Sequence, residues 1–119
     1  MHHKFTEIKL DRSVLVRFKV ITKNSLTLNF KFSDANQDAI DVSGISFEFV
    51  VTDNAKTVEL IKVTNAQWTR DNTNEILHVI NSLDIEAGEY KVDFTCTYPD
   101  GRVQTLMDGE FIVRERHIL

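Results

Sequence analysis

Tyr90-Lys91-Val92-Asp93-Phe94-Thr95-Cys96-Thr97-Tyr98 alternates apolar and polar residues without a break. Successive side chains of a β-strand point to opposite faces, so this run specifies a strand with one buried face and one wet face. Two further runs carry the same pattern. Leu26, Leu28, Phe30 and Phe32 alternate with Thr27, Asn29 and Lys31, and Ile45, Phe47, Phe49 and Val51 alternate with Ser46, Glu48 and Val50. The expected core is therefore Phe30, Phe32, Phe47, Phe49, Tyr90, Val92, Phe94 and Phe111.

Working outward, weaker strand candidates lie at Val14–Ile21, Thr57–Val63, Glu75–Asn81, Arg102–Asp108 and Glu110–Arg114, with a short one near Thr6–Leu10. Turn residues separate them. Ser33-Asp34-Ala35-Asn36-Gln37-Asp38 is a polar loop, and Asp53–Lys56 and Asp71–Asn74 close hairpins. In Pro99-Asp100-Gly101 the proline presets φ and the glycine tolerates φ > 0, which marks a tight turn. Short strands at this spacing indicate a sandwich or a barrel. Ile85-Glu86-Ala87-Gly88-Glu89-Tyr90 favours the sandwich, because a Tyr entering a late Greek-key strand can bond back to nearby backbone as a tyrosine corner. The expected fold is an all-β, immunoglobulin-like antiparallel β-sandwich of Greek-key type with about seven to nine strands.

A chain of 119 residues suits one domain, and no linker, repeat or low-complexity tract divides it. Lys plus Arg number 14 against 18 for Asp plus Glu, a balance that speaks against a large basic surface for nucleic acid. No segment approaches the ~20 apolar residues of a membrane helix, and the start, Met1-His2-His3-Lys4-Phe5, lacks the apolar run of a signal peptide. No nucleic-acid partner, no membrane partner and no secretory route are expected. Cys96 is the sole cysteine, so no intrachain disulfide can form, and its place in the alternation turns it inward as a small hydrophobe.

Catalytic and metal patterns fail on inspection. Asp34, Asn36 and Asp38 have the spacing that opens an EF-hand loop, but Ala39 stands where that loop needs Gly, and Ile45 where it needs Glu. His2, His3, His78 and His117 are too scattered for a zinc set. His78 runs in phase with Ile76 and Ile80, which suits a core or interface residue better than a base. No enzyme activity and no cofactor are expected. Trp68, in the polar stretch Asn65-Ala66-Gln67-Trp68-Thr69-Arg70, has three readings: a sugar platform, an interface anchor, or a lid over the sandwich edge. In Val14–Ile21, Val14, Val16, Phe18 and Val20 form one face, while Leu15 and Ile21 make the other partly apolar. Such a run is either an internal strand or one that meets a partner.

Val20–Phe32, the loop Ser33–Gly44 with its Ile40-Asp41-Val42-Ser43-Gly44, and the strand Ile45–Val51 resemble the N-terminal Ig-like domain of phage baseplate upper proteins and related tail- and head-fibre proteins. Ile85–Tyr90 resembles the "L-x-P-G-x-Y" element of those domains, and Leu106-Met107-Asp108-Gly109-Glu110-Phe111-Ile112-Val113 their closing "G-x-F-x-V" strand. The match departs from the family in having no Gly between Asp34 and Ile40. The resemblance implies a non-enzymatic virion protein, made in the host cytoplasm, that joins other phage structural proteins as a homo-oligomer or a hetero-assembly. It also implies a mounting module without the longer receptor-binding region. Residues 1–19 precede the match and are expected to form an N-terminal strand or arm, with 20–119 as the Ig-like domain. Val14, Val16, Phe18, Val20 and Trp68 are the expected partner contacts. The alternative is a carbohydrate-binding or adhesion module with Trp68, and Tyr98 beside it, against a glycan.

Overall fold

The alternating runs become strands and bury one face each. The computed structural model describes residues 6–9 and 13–115. Among them are β1 (Thr6–Lys9), β2 (Val14–Ile21), β3 (Leu26–Ser33), β4 (Ser46–Thr52), β5 (Glu59–Val63), β6 (Glu75–Ile80), β7 (Gly88–Thr97) and β8 (Val103–Arg114). A short 3₁₀ turn, Asn65–Gln67, lies between β5 and β6. One sheet has the order β1-β3-β6 and the other β2-β8-β7-β4-β5. The chain crosses from sheet to sheet at β1–β2, β2–β3, β3–β4, β5–β6 and β6–β7, which makes an immunoglobulin-like Greek-key sandwich.

The core is aromatic. Phe30 stacks on Phe94 with ring centroids 4.5 Å apart, and Phe32 stacks on Phe47 at 4.7 Å, joining one sheet to the other. Seven of the eight expected core residues are buried, and Tyr90 is the exception. Its ring is half-buried against the core edge because its hydroxyl reaches out to donate to the Glu86 carbonyl oxygen at 2.7 Å. That bond is the tyrosine corner. Tyr90→Phe removes one hydrogen bond and little packing, so it should cost about 1 kcal/mol. Urea unfolding should show a lower midpoint with an unchanged slope; an unchanged midpoint would mean that the bond contributes nothing.

Three expectations need correction. Pairing is antiparallel for β3–β6, β4–β5, β4–β7 and β7–β8, but β1 runs parallel to β3 and β2 parallel to β8. Arg102–Asp108 and Glu110–Arg114 are one strand, β8, which passes through Gly109 without interruption. Asn29, placed by alternation on a wet face, is 7% exposed.

The N-terminal strands are held by the same two sheets as the rest. Lys9 Nζ donates to Ser33 Oγ (3.1 Å) and to the Asp34 carbonyl oxygen (2.9 Å), and Ser33 Oγ donates to Glu7 Oε1 (2.7 Å). The Ser33 hydroxyl, and then Lys9, hold the Glu7 carboxyl below its ordinary range. The expected boundary between residues 19 and 20 falls inside β2, whose whole length pairs with β8 from Val14–Met107 to Ile21–Arg114. Residues 1–5 and 10–12, including Phe5 and Leu10, lie outside the described residues, as do His2, His3 and His117.

Loop acids are occupied by their own turns. Asp34 Oδ1 accepts from the Asn36 and Asp38 amides at 2.8 and 3.0 Å, which accounts for the Asp-x-Asn-x-Asp spacing without an ion. Pro99-Asp100-Gly101 turns as expected, with Gly101 at φ 92° and its amide on the Tyr98 carbonyl oxygen at 2.9 Å.

Candidate functional site

A sandwich ends in edge strands, whose outer backbone groups have no neighbour in their own sheet. β2 is one edge of the five-stranded sheet, with β8 on its inner side. It is eight residues long and its register with β8 advances one residue at a time, without a bulge. It contains no proline and no bulge, and the only edge-blunting feature it carries is the charge of Arg17 and Lys19.

Its inward row is Val14, Val16, Phe18 and Val20. Val16, Phe18 and Val20 are half-buried and pack on the margin of the core. Phe18 meets Phe49 edge-on with centroids 5.9 Å apart and Phe111 at 6.0 Å. Val14 is more open, at 44% exposure. The outward row is Leu15, Arg17, Lys19 and Ile21, and Leu15 is 83% exposed. Arg17 Nε lies 3.0 Å from Glu110 Oε2 on β8, and Glu110 in turn stands opposite Lys91 on β7. A row of alternating charge therefore crosses the sheet and ends in a cation at the β2 edge.

Beside this edge, among the described residues, a space remains between the two sheets. β1 pairs only with the Phe30–Ser33 half of β3, so Leu26–Asn29 has β6 on one side and no described strand on the other. Between this half of β3 and β2 lies a groove of about 370 Å³ whose apolar walls include Phe18, Val20, Leu26, Leu28 and Phe30. Asn29 also lines it. Its buried amide oxygen finds no hydrogen-bond partner among the described residues.

Of the expected contact residues, the structure gathers Val14, Val16, Phe18 and Val20 on one strand face and puts Trp68 elsewhere. Trp68 is 6% exposed. Its Nε1–H donates to the Phe47 carbonyl oxygen at 3.0 Å, and its ring lies edge-on to Phe30 and Phe94 at 6.0 and 6.1 Å. A ring so placed has no free face for a sugar or a partner, which corrects its place among the contacts and leaves the reading as a lid. Its polar neighbours mislead because they serve the lid. Arg70 donates to the carbonyl oxygens of Val42 (2.8 Å) and Ile45 (2.6 Å) and to Asn65 Oδ1 (2.8 Å), with its guanidinium 5.4 Å from the Phe47 ring centroid. His78 accompanies this corner, with Nδ1 3.1 Å from the Gln67 carbonyl oxygen and its ring 6.1 Å from Trp68.

The remaining chemistry-bearing groups are held in structural roles. Cys96 is buried, and burial pushes its thiol above its ordinary value, away from thiolate. Tyr98 donates to Gln104 Oε1 at 2.7 Å and has the Arg102 guanidinium 4.5 Å over one face of its ring. Among the described residues, no three His, Cys, Asp or Glu side chains gather to hold a metal.

Sequence reasoning missed Arg17, Lys19 and the β3 side of the groove. Alternation marks which residues face inward but not which strand lies at an edge.

No family model matches the chain, and no curated protein matches it. Among solved structures, it is similar to CopC from Methylosinus trichosporium OB3b at 14% identity and a TM-score of 0.49, over 86% of this chain and 88% of that one. It is also similar to the SGBP-B of the Bacteroides ovatus mixed-linkage glucan utilization locus, solved with a mixed-linkage heptasaccharide, at 14% identity and a TM-score of 0.39. That likeness covers 85% of this chain, which spans 23% of the SGBP-B chain.

Proposed function

We propose that this protein is a non-enzymatic assembly module, a structural component of a bacteriophage particle, that joins its neighbours by accepting a strand at the β2 edge. One observation carries the contact mode: a long, unbulged edge strand stands beside an apolar groove between the sheets. An added strand gains main-chain hydrogen bonds from the edge, and its alternate side chains gain burial in the groove. The virion assignment rests on the resemblance of Val20–Val51, Ile85–Tyr90 and Gly109–Val113 to phage structural domains.

The flanking reading frames test the virion assignment. They should encode capsid, neck, tail or baseplate proteins, and mass spectrometry of purified particles should find the chain at structural copy number. A gene set among metabolic or transport functions, with no trace of the chain in particles, would overturn it. Burial removes Trp68 as a sugar platform for the carbohydrate-binding alternative.

A further inference from the structure

The outward row of β2 reads apolar, cation, cation, apolar: Leu15, Arg17, Lys19, Ile21. Residues directly opposite each other on neighbouring strands share a face, where opposite charges attract and like charges repel. This chain's own β8 shows the match, with Glu110 opposite Arg17 and in contact with it at 3.0 Å. The free side of β2 offers the same row to a second strand.

A second copy of β2 fits poorly. In antiparallel self-pairing about a two-fold axis, the two registers that keep nearly the whole strand paired set Arg17 against Arg17 or Arg17 against Lys19. Either places cation on cation at the centre of the contact. The inward row sets a different demand. Phe18 and Val20 share the groove walls with Leu26, Leu28 and Phe30, so apolar side chains are favoured there.

We infer that the occupant of the β2 edge is an extended segment of a different protein, with acidic side chains opposite Arg17 and Lys19 and apolar side chains alternating with them into the groove. This rests on the assembly reading above and adds the chemistry of the partner. Charge complementarity selects the partner and its register, while burial of the alternate residues holds it.

The test uses two synthetic peptides and the full chain. One is Thr-Leu-Thr-Val-Glu-Val-Glu-Val-Thr-Leu-Thr; its twin has Lys for both Glu. Binding is followed by fluorescence anisotropy of labelled peptide, and the contact by amide hydrogen exchange over residues 14–21. The acidic peptide should bind about tenfold or more tightly than the lysine twin, lose that advantage at high salt, and slow exchange in β2. Lys19→Glu, at an exposed site opposite Ile112, should narrow the preference, and Arg17→Glu with Lys19→Glu should reverse it, with melting temperature checked for each variant. Equal binding of the twins with β2 protected would overturn the acidic partner and leave strand addition standing. Binding of neither twin, or binding that leaves β2 exchange unchanged, would overturn the inference, whereas the virion assignment fails separately on gene context and particle composition.

Discussion

Phe94→Ala is expected to lower the stability of the folded chain by about 3–5 kcal/mol, the range for emptying a buried phenylalanine site. Phe94 is the hub of the aromatic core. Its ring lies 4.5 Å from Phe30, 5.8 Å from Phe47, 6.1 Å from Phe49 and 6.1 Å from Trp68, so it touches both sheets and the lid. Rigid rings on several sides cannot collapse into the space, which keeps the cost near the top of the range. A domain of this size has roughly 5–15 kcal/mol of total stability, so the variant is expected near the edge of folding. Phe94→Leu, which retains much of the volume, should remain folded and lose less. Urea unfolding of both variants decides the matter; a Phe94→Ala loss below about 1 kcal/mol would contradict the packing described.

Gly109→Ala should be nearly as damaging for a different reason. Gly109 has φ 149°, a conformation that strains any residue with a Cβ. A Cβ there would lie 2.0 Å from the Val16 carbonyl oxygen and 2.9 Å from the Val16 nitrogen. Val16 is the register partner of Gly109, so the clash falls on the backbone of β2 itself. Backbone strain and overpacking together should cost roughly 2–5 kcal/mol. Relief requires β2 to separate from β8, so hydrogen exchange in β2 should rise before that in β4 and β7. A variant with wild-type melting temperature and a protected β2 would mean that the parallel β2–β8 pairing is wrong.

Gly109 also shows where sequence reading stops. Alternation is a local property, and it located β2, β3, β4 and β7 because each shows its period within a single run. Asp108-Gly109 looks locally like a break between two strands. The need for glycine comes from β2, nearly a hundred residues away in the chain, which passes too close for a side chain. Parallel pairing of β1 and β2 was illegible for the same reason, since nothing in either run states the direction of its partner. Turn chemistry was partly hidden as well, because Lys23, Gln37 and Lys56 take positive φ where Gly or Asn would have marked the turn. Trp68 misled because its polar neighbours cap the lid through Arg70 and do not face a ligand. The inward half of the candidate edge was legible in Val14, Val16, Phe18 and Val20. The groove was not, because it is formed by Phe18 and Val20 of β2 together with Leu26, Leu28 and Phe30 of β3, and no single run states that these strands meet.

The central claim is that β2 is an open edge in the isolated chain. Residue-resolved amide exchange over 14–21 on the monomeric protein tests it most directly. In a strand bonded on one side only, amides that point to β8 are protected and those that point outward are not. The expected result is slow and fast exchange alternating residue by residue through β2, with the fast amides slowed on assembly. Uniform protection of consecutive amides from 14 to 21 in the monomer, unchanged on assembly, would contradict the account.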